Sequence, residues 1–181
     1  MNTDVILGWF LGVASSIVSG VVLYWLQTRR DIHNERLRQR REDIRVARNW
    51  EEEGKKGSLR GFDLAGANLS GKDLARADLE DANFQGAKMW GTRLHKANLR
   101  RASFRKARIA GVSFSEADMH SADFTGATIT EADFSGAVLC RAKLRHAKRI
   151  TNCNWQFVEI DETTELSPQL MEQIQARQKR P

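Results

Sequence analysis

The chain is poor in the residues that build disulfide scaffolds and metal centres. Its 181 residues hold two cysteines, Cys140 and Cys153, and two prolines, Pro168 and Pro181. Two thiols cannot form a disulfide framework, and their scarcity agrees with a reducing compartment. The four histidines, His33, His95, His120 and His146, show no zinc spacing with those thiols. Thirteen glycines are scattered along the chain instead of being gathered into a phosphate-binding loop. Charge is also missing in two places: there is none from Val5 to Leu26, and there is no acid from Ala82 to Ser115 although the net charge is +6. The expectation is a non-enzymatic protein with no catalytic, cofactor-binding or metal-binding residues to assign.

What is present is a five-residue beat. Residues 115–139 read SEADM HSADF TGATI TEADF SGAVL, with a large apolar residue closing each block. From Leu59 to Leu144 every fifth residue, eighteen in all, is Leu, Ile, Met or Phe. A helical period of 3.6 or a strand period of 2 cannot keep such positions on one side, whereas stacked coils of a solenoid can. Two positions earlier, thirteen of the eighteen residues are Ala, from Ala67 to Ala142, so a second inward position has room for a methyl group. One position earlier, nine are Asp or Asn, and two positions later eight are Gly. Those types favour tight corners and bond their own backbone, so turn formation accounts for the regular carboxylates.

The motif A(D/N)LxG, as in Ala67–Gly71 (ANLSG) and Ala132–Gly136 (ADFSG), resembles the pentapeptide-repeat family over about residues 57–160. The resemblance implies an all-β solenoid, a right-handed quadrilateral β-helix with four repeats per coil and about five coils. After Leu144 the phase slips: Ile150, Trp155 and Ile160 carry the beat, which places one extra residue near Lys148–Ile150. Stacked coils leave open edges at both ends. Ser167 and Pro168 open a short C-terminal helix with an apolar stripe of Leu170, Met171 and Ile174, a natural cap. In the first coil Phe62 and Lys72 replace Ala, as an end near water allows.

The twenty-two uncharged residues 5–26 would reach about 33 Å as helix, enough to span a bilayer. Trp9 and Phe10 lie near one end, Tyr24 and Trp25 near the other, as interfacial residues do. Asp4 precedes the run and Arg29-Arg30 follows it, the reverse of a cleaved signal peptide. Eight Arg against four acids between Arg29 and Arg48 place the repeats in the cytoplasm and the N-terminus outside. Gly8, Gly12, Ser16 and Gly20 fall four apart, a row that lets helices approach closely, so a homo-oligomer or a membrane-complex subunit is expected. The expected organisation is a transmembrane helix over 1–28, a basic helical stalk over 29–54, the β-helix over 55–162, and a capping helix and tail over 163–181.

One branch of the resembled family protects DNA gyrase by imitating duplex DNA, which requires an acidic solenoid. Here residues 57–160 hold sixteen Lys and Arg against eleven Asp and Glu, so DNA mimicry is not expected. With twenty residues per coil, Lys88, Arg108 and Lys148 share one side, and Arg105, Lys106, Arg145 and Arg149 lie nearby. That basic face could meet membrane lipid or an acidic protein, and Trp90 is nearly alone as an outward aromatic for stacking. The functional expectation is a membrane-anchored scaffold for protein–protein interaction. The alternative is a subunit or regulator of a channel or transporter complex.

Overall fold

The computed structural model describes residues 3–52, 54 and 58–178, and for 3–19, 177 and 178 the backbone alone. It divides into two compact units, Met1–Arg41 and Glu42–Pro181.

Most repeats of the second unit turn a corner by the same device. At the second repeat the Leu64 carbonyl accepts the Ala67 amide at 3.0 Å, and Gly66 sits at φ 68°. Such a turn demands positive φ at its third residue, which glycine adopts without strain. All nine Asp and Asn residues before the large apolar position accept the amide two residues on, as Asp123 does from Thr125 at 2.8 Å. The carboxylates and amides therefore hold corners, as the composition of that position implies.

Corners every five residues fold the chain into coils of four sides, with parallel partners twenty residues apart. The first side runs Asp63, Asn83, Ser103, Asp123, Lys143 and Glu165. The second runs through Asn68 to a regular parallel sheet of β1 (Lys88–Trp90), β2 (Arg108–Ala110), β3 (Thr128–Thr130) and β4 (Arg149–Thr151). The third runs from Asp73 through Arg93, Ser113 and Asp133 to Asn154, and the fourth from Asp78 through Asn98, Asp118 and Val138 to Glu159.

Inside, all eighteen large apolar residues from Leu59 to Leu144 are buried to 1% exposure or less. Leu fills the first coil, and in the later ones rings alternate with Leu, Ile and Met. Phe84, Phe104 and Phe124 stack at 4.8 Å centroid spacing, and Phe114, Phe134 and Trp155 form a second column at 5.1 and 4.5 Å. The columns meet edge to face at 5.7 to 6.3 Å. Where Thr replaces Ala at the small position, its hydroxyl faces a carbonyl: Thr92 donates to Leu69 at 2.9 Å, and Thr164 Oγ1 lies 3.2 Å from the Leu139 carbonyl.

The phase slip lies where the beat breaks. Thr128 pairs with Arg149, twenty-one residues on, and the amides of Lys148 and Arg149 both point at the Ala127 carbonyl, at 2.8 and 3.5 Å. A second insertion has no counterpart in the sequence reading. Lys143 pairs with Glu165, so the ladder extends past residue 162. Asp161 holds that extra loop, its Oδ1 accepting from the Thr163 amide and from the hydroxyls of Thr163 and Thr164.

Both ends of the coil are covered. At the C-terminal end α2 (Pro168–Gln178) buries Leu170 and Ile174, and Ser167 Oγ accepts the Leu170 amide at 3.3 Å as its N-cap. At the other end the cover is the last turns of α1 (Thr3–Asn49) and the residue after it: Ala47 and Trp50 join the core. Asp43 Oδ2 accepts the Asp63 amide at 3.0 Å. Asp43 lies twenty residues before Asp63, so its carboxylate stands where a preceding coil would offer a carbonyl. The segment read from sequence as stalk thus ends as a cap on the solenoid.

In the first unit α1 continues without a break from Thr3. Its described apolar residues from Val21 to Leu26 are 48–75% exposed, with no buried face. Among the described residues no helix is long and apolar enough to cross a membrane. Residues 5–19, most of the uncharged run, carry no described side chains, so the packing of Gly8, Gly12 and Ser16 lies outside the described residues. Gly20 is described, and a Cβ added there would meet nothing within 4 Å.

Candidate functional site

Outward side chains differ sharply between the four sides. On three of them, and at the corners between those three, cations meet acids across neighbouring coils. Arg60 pairs with Glu80 at 2.8 Å, Arg93 with Asp73 at 3.5 Å, and Arg100 with Asp118 at 3.0 Å. Arg101 grips Asp81 at 2.7 Å and also Glu80, and Lys96 reaches Glu116 at 3.2 Å. The Arg101 guanidinium holds the Asp81 carboxyl below the ordinary Asp range. Such exposed pairs contribute little stability each, but they leave these surfaces nearly neutral.

The second side is built differently. Its outward column before the large apolar residue reads Asn68, Lys88, Arg108, Thr128 and Arg149, without an acid. The column two residues on reads Ser70, Trp90, Ala110, Thr130 and Thr151, again without one. Among the described residues Lys88, Arg108, Lys148 and Arg149 form no ion pair. Trp90 is 56% exposed. With Arg108, Ala110, Thr128, Thr130 and Lys148 it lines a shallow recess of ≈ 330 Å³.

Of the seven basic residues singled out from sequence, Lys88, Arg108 and Arg149 stand in one register of the sheet. The inserted residue makes Arg149, rather than Lys148, the partner of Thr128, and Lys148 borders the recess. Arg105 lies on the corner leading to this side but is tied to Asp123 at 2.9 Å. Burial pushes the Asp123 carboxyl up, yet bonds from Thr125 and Arg105 bring it below its ordinary value. Lys106 lies at the same corner, its side chain beside Gly126. Arg145, Lys148 and Arg149 line a gap of ≈ 350 Å³ beneath α2 with Ser167, Gln169 and Gln173. The recess beside Trp90 was missed in the sequence, where the only signal is an aromatic among small outward residues at twenty-residue spacing.

Among the described residues no cluster of His, Cys, Asp and Glu is placed to hold a metal ion. Cys153 is buried and Cys140 half-buried, and burial pushes both thiols above their ordinary value.

A search of the curated proteins finds no match. Solved structures similar to this chain include a pentapeptide repeat protein from the Arabidopsis thaliana thylakoid lumen, 28% identical, with 65% of this chain and 77% of that one covered at a TM-score of 0.38. A pentapeptide repeat protein of the cyanobacterium Cyanothece is 19% identical over 66% of this chain and 95% of that one, at 0.31. HetL, a pentapeptide repeat protein involved in heterocyst differentiation regulation in Nostoc, is 24% identical over 56% and 69%, at 0.27. The model of the pentapeptide repeat region matches residues 58–134 and 77–166, together more than half of the chain and the whole of the four-sided ladder. The chain belongs to the pentapeptide-repeat family.

Proposed function

We propose that this protein is a membrane-anchored, non-enzymatic scaffold that holds its solenoid on the cytoplasmic side for protein–protein interaction. The observation that carries the anchor is α1 between Val21 and Leu26, where six successive apolar residues are exposed on every side of the helix. A helix apolar all round belongs in lipid or inside an assembly. Full burial of a Val or Leu side chain gains about 1.5–3 kcal/mol, so leaving Val21, Val22, Leu23 and Leu26 about half exposed forgoes roughly 3–6 kcal/mol. Arg29 lies 4.2 Å over the Trp25 ring, as a cation held at an interfacial aromatic would. The excess of Arg after the helix supports the cytoplasmic side for the repeats.

A second reading, a subunit docked on another membrane helix or on its own copy, draws on Gly20, whose open surroundings leave room for close approach. Protease added to sealed cells should leave residues 58–178 intact, and carbonate washing should leave the chain in the membrane fraction. Digestion of the repeats, or release by carbonate, would overturn the anchored reading. Copurification with a stoichiometric integral-membrane protein, lost in Gly12→Ile/Gly20→Ile, would favour the subunit.

A further inference from the structure

Resting on the reading of the solenoid as an interaction scaffold, we propose that its second side is the docking site for an extended acidic segment of a partner protein. Carboxylates of that segment lie over Lys88, Arg108 and Arg149, and one of its apolar side chains enters the recess beside Trp90.

Charge is the starting point. Elsewhere on the coil several cations one rung from an acid pair with it, as Arg100 does with Asp118. On the second side Lys88 and Arg108 occupy neighbouring rungs instead. Rungs lie about 4.8 Å apart, and like charges directly opposite are unfavourable. A carboxylate placed between them relieves that repulsion and meets cations that no acid among the described residues engages.

The neighbouring column fixes what else the ligand carries. Trp90, Ala110, Thr130 and Thr151 lie two residues beyond the cations, about 6.6 Å along the strands at ~3.3 Å per residue. The ligand therefore needs an anionic edge and an apolar edge about one side-chain width apart. A bilayer surface is planar and does not enter a recess bounded by Trp90 and Lys148. A single-stranded nucleic acid calls for successive stacking platforms, and this side offers Trp90 alone. An extended peptide supplies both edges by alternation of side chains, and about five residues at ~3.3 Å each span the four rungs from Lys88 to Arg149, which are separated by ~4.8 Å.

The test uses the full chain in neutral detergent and two fluorescein-labelled octapeptides, (Glu-Phe)4 and (Glu-Ser)4, with binding read by anisotropy. (Glu-Phe)4 should bind at least tenfold more tightly, and its affinity should fall with salt. Lys88→Glu/Arg108→Glu should weaken it at least tenfold and flatten the salt dependence. Trp90→Ala should bring (Glu-Phe)4 down to the level of (Glu-Ser)4. Reversing two cations elsewhere, Arg76→Glu/Arg141→Glu, should change affinity less than twofold, and unchanged melting curves confirm that each variant is folded. No binding, equal affinity for the two peptides, or equal loss in both reversals overturns the proposal. So does displacement of (Glu-Phe)4 by phosphatidylserine vesicles but not by neutral ones, which assigns the side to lipid. The protease and carbonate assays read the anchor alone, so either idea can fail while the other stands.

Discussion

The ring columns of the core should behave as a chain of nearest-neighbour couplings, and Phe104 is the place to measure them. It is fully buried, with Phe84 and Phe124 each 4.8 Å away and parallel within 4°, and Phe114 edge-on at 5.7 Å. Phe104→Leu keeps an apolar inward residue, so the burial term changes little and the loss is dominated by ring contacts. Three contacts at about 0.5–1.5 kcal/mol each set an upper range of roughly 1.5–4.5 kcal/mol. Phe104→Ala also leaves a cavity and should cost about 3–5 kcal/mol. A double-mutant cycle separates stacking from general packing. Phe104→Leu with Phe124→Leu should show a coupling of about 0.5–1.5 kcal/mol, whereas Phe84→Leu with Phe124→Leu, two coils apart, should add within about 0.5 kcal/mol. Urea unfolding of the full chain in a fixed detergent supplies the free energies. Equal couplings for the two pairs, or none for the adjacent pair, would refute the stacked-column account.

Removing the carboxylate in Asp43→Ala leaves the partly buried Asp63 amide without the acceptor 3.0 Å away, at a cost of about 1–3 kcal/mol. Hydrogen exchange at Asp63 should quicken by about fivefold or more, with exchange at Ser103 unaffected, and equal change at both would show that Asp43 does not hold the first coil in particular. Burial acts to raise the Asp161 carboxyl, but hydrogen bonds from Thr163, Thr164 and the Arg141 amide outweigh it and bring the group to about 2. Because the folded value lies below the unfolded one of about 3.9, this stabilisation is complete above pH ~4 and is lost as pH falls toward 2. The melting temperature of the native chain should therefore drop more between pH 5 and 2.5 than that of Asp161→Asn, and parallel curves would remove Asp161 from the account.

The inward register and the corners were legible because each position in the repeat admits few residue types: a large apolar side chain, a methyl group, an amide-bonding Asx or a residue at positive φ. The insertion at Lys148–Arg149 was legible for the same reason, since it interrupts a beat. The second insertion was not, because Thr164 takes the small inward position, its hydroxyl 3.2 Å from the Leu139 carbonyl, and no Ala marks its place. The N-terminal cover was hidden too. Asp43, Ala47 and Trp50 sit in a run of charged helix formers, and only the twenty-residue spacing from Asp43 to Asp63 relates that run to the coils. On the basic side the residues were readable, but the pairing of Arg105 with Asp123 depends on which corner the side chain leaves, and the recess depends on Trp90 and Lys148 bordering the smaller Ala110, Thr128 and Thr130.

The second side combines an extended backbone with unpaired charge, and its outward and inward residues bear on each. Where Asp or Asn stands before the large apolar residue, as at eight positions on the other sides, it captures the amide two residues on, and its second carboxylate oxygen in several cases meets an Arg of an adjoining coil. On the second side that position is Lys88, Arg108, Thr128 and Arg149, none of which makes such a capture. No backbone bond closes a turn after Met89, Ile109 or Ile129 among the described residues, and the chain stays extended for three residues in each coil. The inward residues agree: Ile109 and Ile129 are the only isoleucines among the eighteen, both in this column, and β-branching favours extended backbone. The wider corner then admits Thr92 and Val112 where Ala stands elsewhere. Loss of the Asx residue alone does not open the turn, since Leu94, Phe104, Phe114, Leu139 and Leu144 close theirs after Arg93, Ser103, Ser113, Val138 and Lys143; on the second side it coincides with β-branched residues in the inward column, and the extended backbone there carries a row of cations with no acid in its column.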